Sequence, residues 1–241
     1  MNIYDVRTRK EMDRLGAEAL ISTIRAKPDC HLVLATGGSP AGAYALVAQA
    51  VAAGSLDCSR VKVTMLDEWY GIPQSFAGSS YSYLMKFVIG AWGCPMSEFL
   101  IFDSEKTHPR TESKAISLQF LARPQPDLCV LGVGTNGHIG LNEPDAMQLP
   151  TVHVSELAEE TMGHAMLEGL ERPPIRGLTL GVGDILSAKS ILLLACGFDK
   201  QEAIGSLRQG RISTYAPVSF LWLHPDATAL VAEMGTPVPG S

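Results

Sequence analysis

The segment 127–144, DLCVLGVGTNGHIGLNEP, constrains the fold more than any other part of the chain. Its first half is a short apolar run without polar alternation, which is typical of a strand buried on both faces of a parallel sheet. The run ends in small residues and gives way to a loop rich in glycine and asparagine. Ligands of open α/β sheets bind at the carboxyl ends of the strands, so this loop is predicted to border a binding crevice.

Four polar side chains in this loop are candidates for chemistry: Asn136, His138, Asn142 and Glu143. The neighbouring glycines allow close turns, so that side chains from one loop can converge. An ordinary polar loop would use asparagine and glycine only to satisfy turn geometry. A histidine, however, changes charge near neutral pH and can exchange protons with a substrate. His138 and Glu143 together in one glycine-rich loop therefore favour a functional site over a plain turn.

The strand-to-loop pattern recurs along the chain and predicts the fold class. Strands are predicted at residues 2–6, 31–35, 60–66, 99–102, 127–134, 151–154, 177–181, 190–195 and 228–232. Helices are predicted at residues 8–27, 40–54, 79–92, 111–123 and 156–170 and after residue 197, whereas 218–224 fits either element. This alternation indicates an α/β protein with a doubly wound, mostly parallel, Rossmann-like sheet and helices on both faces.

Length and composition limit the classes of protein to consider. The 241 residues can bury a substantial core, and no repeat or linker divides them, so we predict one domain over residues 1–234 and a flexible tail over 235–241. A net charge of −6 argues against a nucleic-acid partner. No apolar run resembles a signal peptide or a membrane span, so the expected protein is soluble and cytoplasmic, without a membrane partner. Five scattered cysteines form no CxxC pair, which predicts no metal site.

A second glycine-rich segment follows the strand at 31–35. It comprises Thr36, Gly37, Gly38, Ser39 and Pro40, and an alanine-rich helix follows it. Ser39 is predicted to cap this helix and proline to occupy its first position, so that free N–H groups and the positive helix end point into the turn. Such a turn binds phosphate. Small residues there also have a purely steric explanation, and the segment matches neither the Walker sequence nor the full dinucleotide fingerprint.

Charged residues follow two further strands. Asp67 and Glu68 end the strand at 60–66, and neighbouring side chains of extended backbone point to opposite faces. One is therefore a candidate base and the other is expected to anchor the loop, the alternative being a solvated acidic turn. Lys200 opens a helix, where its charge opposes the dipole unless it faces a bound anion. His164 is expected to be a packed or surface histidine.

Five segments together resemble one enzyme family: LATGGSP (34–40), LDEWYGIP (66–73), LGVGTNGHIGLNEP (131–144), TLGVGDILSA (179–188) and CGFDK (196–200). The chain is similar to the amino-sugar-phosphate isomerase/deaminase family, which includes glucosamine-6-phosphate deaminases and galactosamine-6-phosphate isomerases, with 6-phosphogluconolactonases as more distant relatives. The motifs DEW, CVLGVG, NGHIGLNEP and SFLWLH most resemble those of the galactosamine-6-phosphate group. The resemblance spans nearly the whole chain and implies a sugar-phosphate isomerase type of Rossmann-like fold.

The resemblance also implies roles for catalytic residues. Asp67 corresponds to the enolisation base, His138 to the ring-opening residue, and Glu143 to the carboxylate that supports the histidine. The best-known deaminases have an aspartate where this chain has Asn136. As a neutral amide, Asn136 can orient His138 by a hydrogen bond but cannot raise its pKa as a carboxylate would.

Phosphate ligands are implied in the same way. The turn from Thr36 to Ser39 and Lys200 correspond to the family's phosphate-binding residues. The predicted helix at 156–170 lacks the arginine that the deaminases place there, and we take Arg176 as its substitute because lactonases carry an arginine before the equivalent strand. The expected partner is a small-molecule sugar phosphate, no cofactor is expected, and the expected assembly is a monomer or a small homo-oligomer.

Four functions follow from the resemblance and stay open at this point. The first is isomerisation with deamination of galactosamine 6-phosphate to tagatose 6-phosphate and ammonia. The second is the same reaction on glucosamine 6-phosphate, giving fructose 6-phosphate. The third is hydrolysis of 6-phosphogluconolactone, in which His138 would activate water but Asp67 would have no enolising use. The fourth is a sugar-phosphate sensor without catalysis, which the lack of a helix-turn-helix segment disfavours.

Overall fold

Ten strands form the framework of the chain in a computed structural model that describes residues 1–232. The predicted domain end at 234 and the predicted tail, 235–241, lie outside the described residues. The strands are β1 (Asn2–Val6), β2 (His31–Leu34), β3 (Lys62–Met65), β4 (Asp67–Trp69), β5 (Phe99–Leu100), β6 (Leu128–Leu131), β7 (His153–Glu156), β8 (Arg176–Thr179), β9 (Ser190–Cys196) and β10 (Ala227–Ala232).

Seven of these strands form one sheet, in the order β1-β10-β9-β6-β2-β3-β5, and every pairing in it is parallel. All residues of β2 and β6 are buried, as expected for central strands covered on both faces. The predicted α/β, doubly wound and mostly parallel fold is confirmed.

The helices alternate with the strands: α1 (Arg9–Ala26), α2 (Gly38–Ala52), α3 (Ser80–Leu84), α4 (Gly90–Trp92), α5 (Pro109–Ala122), α6 (Glu159–Met162), α7 (Val182–Leu186) and α8 (Gln201–Arg208). A π-helical turn, Met85–Ile89, joins α3 to α4, so the helix predicted at 79–92 is one continuous helical stretch. The ambiguous segment 218–224 is a 3₁₀ helix, Pro217–Leu223. None of the described helices combines the length and the apolar composition needed to cross a bilayer.

The order of the strands places a crevice beside β2. After β2, strands β3 and β5 are added on one side of it, whereas β6 is added on the other side and β9 and β10 continue outward. The carboxyl ends of β2 and β6 therefore meet where the order of the strands reverses. Open α/β sheets bind ligands at such a switch point, so the topology positions a site beside the loops that follow these two strands.

Three strands form a separate antiparallel sheet, in the order β4-β8-β7. The strand predicted at 177–181 thus does not belong to the parallel sheet, and the strand predicted at 151–154 begins two residues later, at His153. This small sheet starts directly after β3, because only Leu66 separates β3 from β4. It therefore places Asp67 beside the crevice.

The prediction of one helix over residues 156–170 is wrong. Glu156 is the last residue of β7, and the following residues form only the four-residue helix α6 and a 3₁₀ turn, Ala165–Leu167, joined by irregular segments. Gly169 has a φ of +90°, which interrupts a regular helix. The apolar residues of this segment pack instead into a small second core, formed by Trp69, Ile72, Leu141, Leu157 and Leu167. Burial of these side chains overrides the helical spacing of the sequence.

Candidate active site

A cavity of about 450 Å³ opens at the switch point of the sheet. It lies among the carboxyl ends of β2, β6 and β9 and the junction between β3 and β4. Its volume lies within the range of sites for small molecules. Most residues predicted for the site line it: Thr36, Gly37, Gly38, Ser39, Asp67, His138 and Lys200. Side chains predicted from separate segments of the chain are thus brought together in one place.

The glycine turn at one end of the cavity differs in detail from the prediction. Helix α2 begins at Gly38, and its N-cap is Gly37, whose φ of +92° is accessible to glycine but strained for other residues. No side chain caps this helix, so the prediction that Ser39 is the cap is wrong. The positive φ of Gly37 instead sets the direction in which the backbone turns into α2. The first N–H groups of a helix lack intrahelical partners, so this end of α2 is suited to an anion.

Two cationic side chains lie at the same end. Lys200 is largely buried, with 16% of its side chain exposed, and its Nζ lies 3.2 Å from Asp199 Oδ2. Arg9, which the sequence analysis did not single out, also lines the cavity. Its guanidinium donates hydrogen bonds to the carbonyl groups of Gly38 and Ser39 and to Asp13 Oδ1. Arg9 follows closely after a strand end, and this position is the one signal that could have found it.

The two carboxylates of β4 point apart, as predicted from extended backbone. Glu68 is fully buried and accepts hydrogen bonds from the backbone N–H groups of Trp69, Ser80 and Tyr81, at 2.8 to 2.9 Å. Burial raises the pKa of Glu68 to about 7, although these hydrogen bonds oppose the shift. Glu68 therefore fixes the start of α3 relative to β4, which is the anchoring role that the sequence suggested.

Asp67 faces the cavity. Its Oδ1 accepts a hydrogen bond of 3.4 Å from Ser80 Oγ, which in turn lies 3.1 Å from Thr36 Oγ1. Burial raises the pKa of Asp67 to about 6, and the charge of His138 and the bond from Ser80 only partly offset this effect. A carboxylate with a pKa in this range is ionised at neutral pH and is a stronger base than an ordinary aspartate.

The loop after β6 holds His138 in a hydrogen-bonded network. His138 Nδ1 lies 3.4 Å from Glu143 Oε2 and 3.2 Å from Thr161 Oγ1. Asn136 donates from Nδ2 to Glu143 at 2.8 Å, and its Oδ1 accepts the backbone N–H of His138 at 3.1 Å. Asn136 thus orients the loop and the carboxylate, and it does not bond to the ring itself. Because Nδ1 is engaged on this side, Nε2 is the ring nitrogen suited to meet a substrate.

Glu143 lies behind the histidine and does not line the cavity. Burial alone would raise the pKa of Glu143, but hydrogen bonds and charge from His138, with further bonds from Thr161 and Asn136, lower it overall. It is therefore a carboxylate at neutral pH. Asn142 has a structural role, because its amide donates to the carbonyl groups of Ile139 and Leu180 at 2.8 and 2.9 Å.

Two glycines of this loop are required by space. A Cβ at Gly134 would lie 2.2 Å from His138 Cε1, so no larger residue fits without displacing the ring. Gly140 has a φ of +58°, and a Cβ there would lie 2.7 Å from Thr179 Oγ1. The glycine-rich sequence thus lets the loop press closely on the histidine and on β8.

The structure does not bring Arg176 to the cavity. Its side chain is exposed and its Nε lies 2.7 Å from Glu156 Oε1. The reason is the direction of β8: in its antiparallel pairing with β4, Thr179 lies opposite Asp67, whereas Arg176 is at the other end of the strand. Sequence spacing does not reveal that β8 leaves the parallel sheet, so the expected substitution of Arg176 for a phosphate ligand has no structural support.

Residues of the segment after β7 complete the wall of the cavity. Thr161 and His164 both line it, although His164 was expected to be a packed or surface residue. Its ring lies 5.8 Å from that of Trp69, centroid to centroid. Among residues 1–232, no group of three or more histidine, cysteine, aspartate or glutamate side chains is arranged to hold a metal ion.

Comparison with known proteins assigns the family. The family described as "Glucosamine-6-phosphate isomerases/6-phosphogluconolactonase" matches residues 7–231. "Putative deaminase AgaI" of Escherichia coli (strain K12) is 34% identical over 229 residues, which cover 95% of this chain and 91% of that protein. A glucosamine-6-phosphate deaminase of Streptomyces coelicolor is 33% identical over 236 residues, covering 97% and 90%.

A solved structure agrees with these sequence matches. The structure of a monomeric glucosamine-6-phosphate deaminase superimposes with a TM-score of 0.91 at 31% identity and covers 96% of this chain and 97% of that one. The chain belongs to the family of glucosamine-6-phosphate isomerases and 6-phosphogluconolactonases. The predicted family, and the prediction that the chain is an enzyme of this family, are confirmed.

Proposed function

We propose that the chain catalyses aldose–ketose isomerisation with deamination of a 2-amino-2-deoxyhexose 6-phosphate. The observation that carries this proposal is the convergence of Asp67 and His138 on one cavity that a glycine turn and two cations also line. A base and a proton donor serve isomerisation, and an anion-binding end serves the phosphate. The named relatives, which include glucosamine-6-phosphate deaminases, support the same reaction class.

The proposed sequence of steps uses the two residues in turn. His138 donates a proton to the ring oxygen while the C1 hydroxyl loses one, which opens the ring to the aldehyde. Asp67 then removes the proton from C2. The electron pair of that C–H bond forms the C1–C2 double bond while the π bond of the C1 aldehyde breaks and its oxygen takes up a proton, which gives an enolamine. Return of a proton to C1 gives an imine at C2, and water replaces the nitrogen to give the ketone and ammonia. Each transfer of this kind contributes about 10²- to 10⁴-fold.

The phosphate is assigned to the glycine turn. In this proposal, the main-chain N–H groups from Thr36 to Ser39 and the ammonium of Lys200 bind the 6-phosphate, and Arg9 supports the turn through its hydrogen bonds to the carbonyl groups of Gly38 and Ser39. Remote binding of this kind positions the sugar for the proton transfers. Arg176 has no part in it.

The proposed substrate is galactosamine 6-phosphate, which gives tagatose 6-phosphate. This choice is supported by the sequence motifs shared with the galactosamine-6-phosphate group. Glucosamine 6-phosphate is the second candidate, because several relatives are named as glucosamine-6-phosphate deaminases. The two sugars differ only at C4. A hydroxyl epimer is rejected strongly only where a buried polar group pairs with it.

The decisive experiment measures ammonia and ketose phosphate from each sugar with the purified protein. We expect turnover of both epimers to depend on Asp67 and to be faster for galactosamine 6-phosphate. Faster turnover of the gluco epimer would overturn the substrate and leave the reaction class standing. Absence of ammonia from both would overturn the function itself.

Isotope exchange separates this reaction from lactone hydrolysis in the same cavity. In D₂O, the isomerase should place deuterium at C1 of the ketose product, because the proton returned there exchanges with solvent. A lactonase should consume 6-phosphogluconolactone and leave sugar carbons unlabelled. Binding of the sugar phosphate with neither reaction would indicate a sensor.

We also propose that the enzyme acts in the cytoplasm as a monomer or a small homo-oligomer. The five cysteines are free, which suits a reducing compartment, and one relative is described as monomeric. Sedimentation of the purified chain would measure its assembly.

A further inference from the structure

His164 lies over the glycine turn and takes no part in the proposed proton transfers. Its Cε1 is 3.9 Å from the point that a Cβ at Gly37 would occupy, and the residue lines the cavity. The rings of Trp69 and His164 are tilted by 40° with centroids 5.8 Å apart. The imidazole is therefore held against the wall of the cavity at the end where the N-terminus of α2 opens.

Hydrogen bonding fixes which ring nitrogen can act as a donor. Nδ1 of His164 accepts the backbone N–H of Met166 at 3.2 Å. An amide N–H can only donate, so Nδ1 carries no proton when the ring is neutral. The proton of the neutral imidazole is then on Nε2. His164 thus presents an N–H donor from Nε2 in either protonation state.

The charges around this ring favour an anion. His164 shares its surroundings with Lys200 and Asp199 after β9, His138 after β6 and Glu160 of α6. Burial and the charge of Lys200 are the main reasons why the pKa of His164 lies below its usual value. A dianion placed between His164 and Lys200 would offset the repulsion between them and oppose the effect of burial, because it pairs with each cation. The imidazolium is therefore disfavoured beside Lys200 alone and favoured once an anion lies between the two.

We propose that His164 is a ligand of the substrate's 6-phosphate, donating from Nε2 on the side of the anion that faces away from the turn of Gly37 and Gly38. The assignment rests on the proposed function for the identity of the anion. It gives the phosphate a main-chain clamp below, Lys200 at one side and an imidazole above. His164 replaces Arg176 as the missing contact. The rival explanation is that His164 only packs on Trp69 and supports the segment from α6 to Leu167.

The first test follows the histidine rings by NMR while inorganic phosphate is added. The signal of His164 is assigned by its loss in His164→Gln. We expect its titration midpoint to rise when phosphate saturates the amide shifts of Gly37 and Gly38, because the dianion stabilises the imidazolium. The midpoint of His153, which also lies in a partly buried setting but is outside the cavity, should stay where it is.

The second test is kinetic and uses His164→Gln with His153→Gln as its matched control. His164→Gln should raise KM for the amino-sugar 6-phosphate about tenfold and weaken inhibition by inorganic phosphate equally, with kcat changed by less than about threefold. The increase in KM should be largest on the acidic side of neutrality, where wild-type His164 can be charged. His153→Gln should leave both constants unchanged. A purely structural role predicts loss of thermal stability and of kcat without this split.

Several outcomes would overturn the proposal. Amide shifts at Gly37 and Gly38 with a fixed His164 midpoint would make His164 a packing residue. No shift at either place would show that phosphate does not bind at this end. Failure of the protein to turn over any amino-sugar phosphate would sink the proposed function and leave the phosphate titration as a valid test of His164.

Discussion

The two ends of the cavity are built by different means. At the histidine end, Asn136, His138, Glu143 and Thr161 bond to one another through their side chains at 2.8 to 3.4 Å. At the phosphate end, the main contacts available to a ligand are the amides of a turn that a positive φ at Gly37 makes possible, with cations beside it. One end depends on the protonation of side chains, and the other depends on backbone direction and charge.

This difference separates chemistry from binding in the molecule. Burial shifts the pKa of a carboxylate such as Asp67 because its ionised form is poorly solvated. Backbone N–H groups cannot be titrated, so the turn offers the same donors at every pH. Substitutions of Asp67 or of residues at the histidine end should therefore change kcat, and those at the phosphate end should change KM. Three predictions test this division, in order of expected effect.

The largest effect is expected for Asp67→Asn. The amide cannot accept the C2 proton, so kcat should fall about 10²- to 10⁴-fold while KM changes little. Steady-state assays of ammonia release would measure both. Asp103→Asn is the matched control, because that carboxylate pairs with Lys106 away from the cavity. A rise in KM as large as the loss of kcat would break the division between the two ends.

The stability of the same variant excludes unfolding as the cause. The pKa of Asp67 in the fold is about 6, above its unfolded value, so ionised Asp67 destabilises the protein above about pH 6 and this cost disappears towards about pH 4. At pH 7, Asp67→Asn should therefore raise the free energy of unfolding by about 1 to 3 kcal/mol and unfold at a higher temperature than the parent, and the gain should vanish near pH 4. Thermal unfolding at both pH values would check the sign.

A smaller effect is expected for Lys200→Ala. Loss of one charge-assisted phosphate contact costs about 1.5 to 3 kcal/mol, or about a ten- to hundredfold rise in KM, and kcat should change little. The matched control is Arg176→Ala, which removes a cation of the neighbouring sheet that pairs with Glu156. KM for Arg176→Ala should stay within about twofold of the parent. If KM rose for Arg176→Ala and not for Lys200→Ala, the phosphate would bind near Arg176 and not beside Lys200.

The smallest effect is the dependence of kcat/KM on pH. Below about pH 6, Asp67 becomes protonated and kcat/KM should fall about tenfold per pH unit, since the fraction of ionised base falls by that factor. The acidic limb should be absent from the residual activity of Asp67→Asn. A midpoint near 4 would show that Asp67 is solvated like an ordinary carboxylate.

Much of the fold and part of the site could be predicted from the sequence. The buried runs of β2, β6 and β9 are continuous and apolar, so they predict parallel strands, and the strand ends placed Asp67 and His138 at one edge. The opposite directions of Asp67 and Glu68 followed from extended backbone alone. These predictions depend on local periodicity, which the sequence carries directly.

Other features depend on contacts that local patterns do not encode. The departure of β8 into an antiparallel sheet moved Arg176 away, and burial of Leu157 and Leu167 against Trp69 broke the predicted helix and carried His164 into the cavity. Arg9 reaches the glycine turn through the packing of α1 against α2. Ser39 was predicted as the cap because serine is a common N-cap residue, and the sequence does not reveal that Gly37 adopts a positive φ and takes the N-cap position instead.

Gly134 and Gly37 border the same cavity, yet selection would retain them for unrelated reasons. Position 37 demands a backbone angle, so every residue with a side chain is penalised there whatever its size. Position 134 has no room for a side chain, because even one methyl group would overlap His138. In a library screened for folding, replacing His138 by a smaller residue should therefore allow alanine at position 134. No change of a neighbouring side chain should allow a residue other than glycine at position 37.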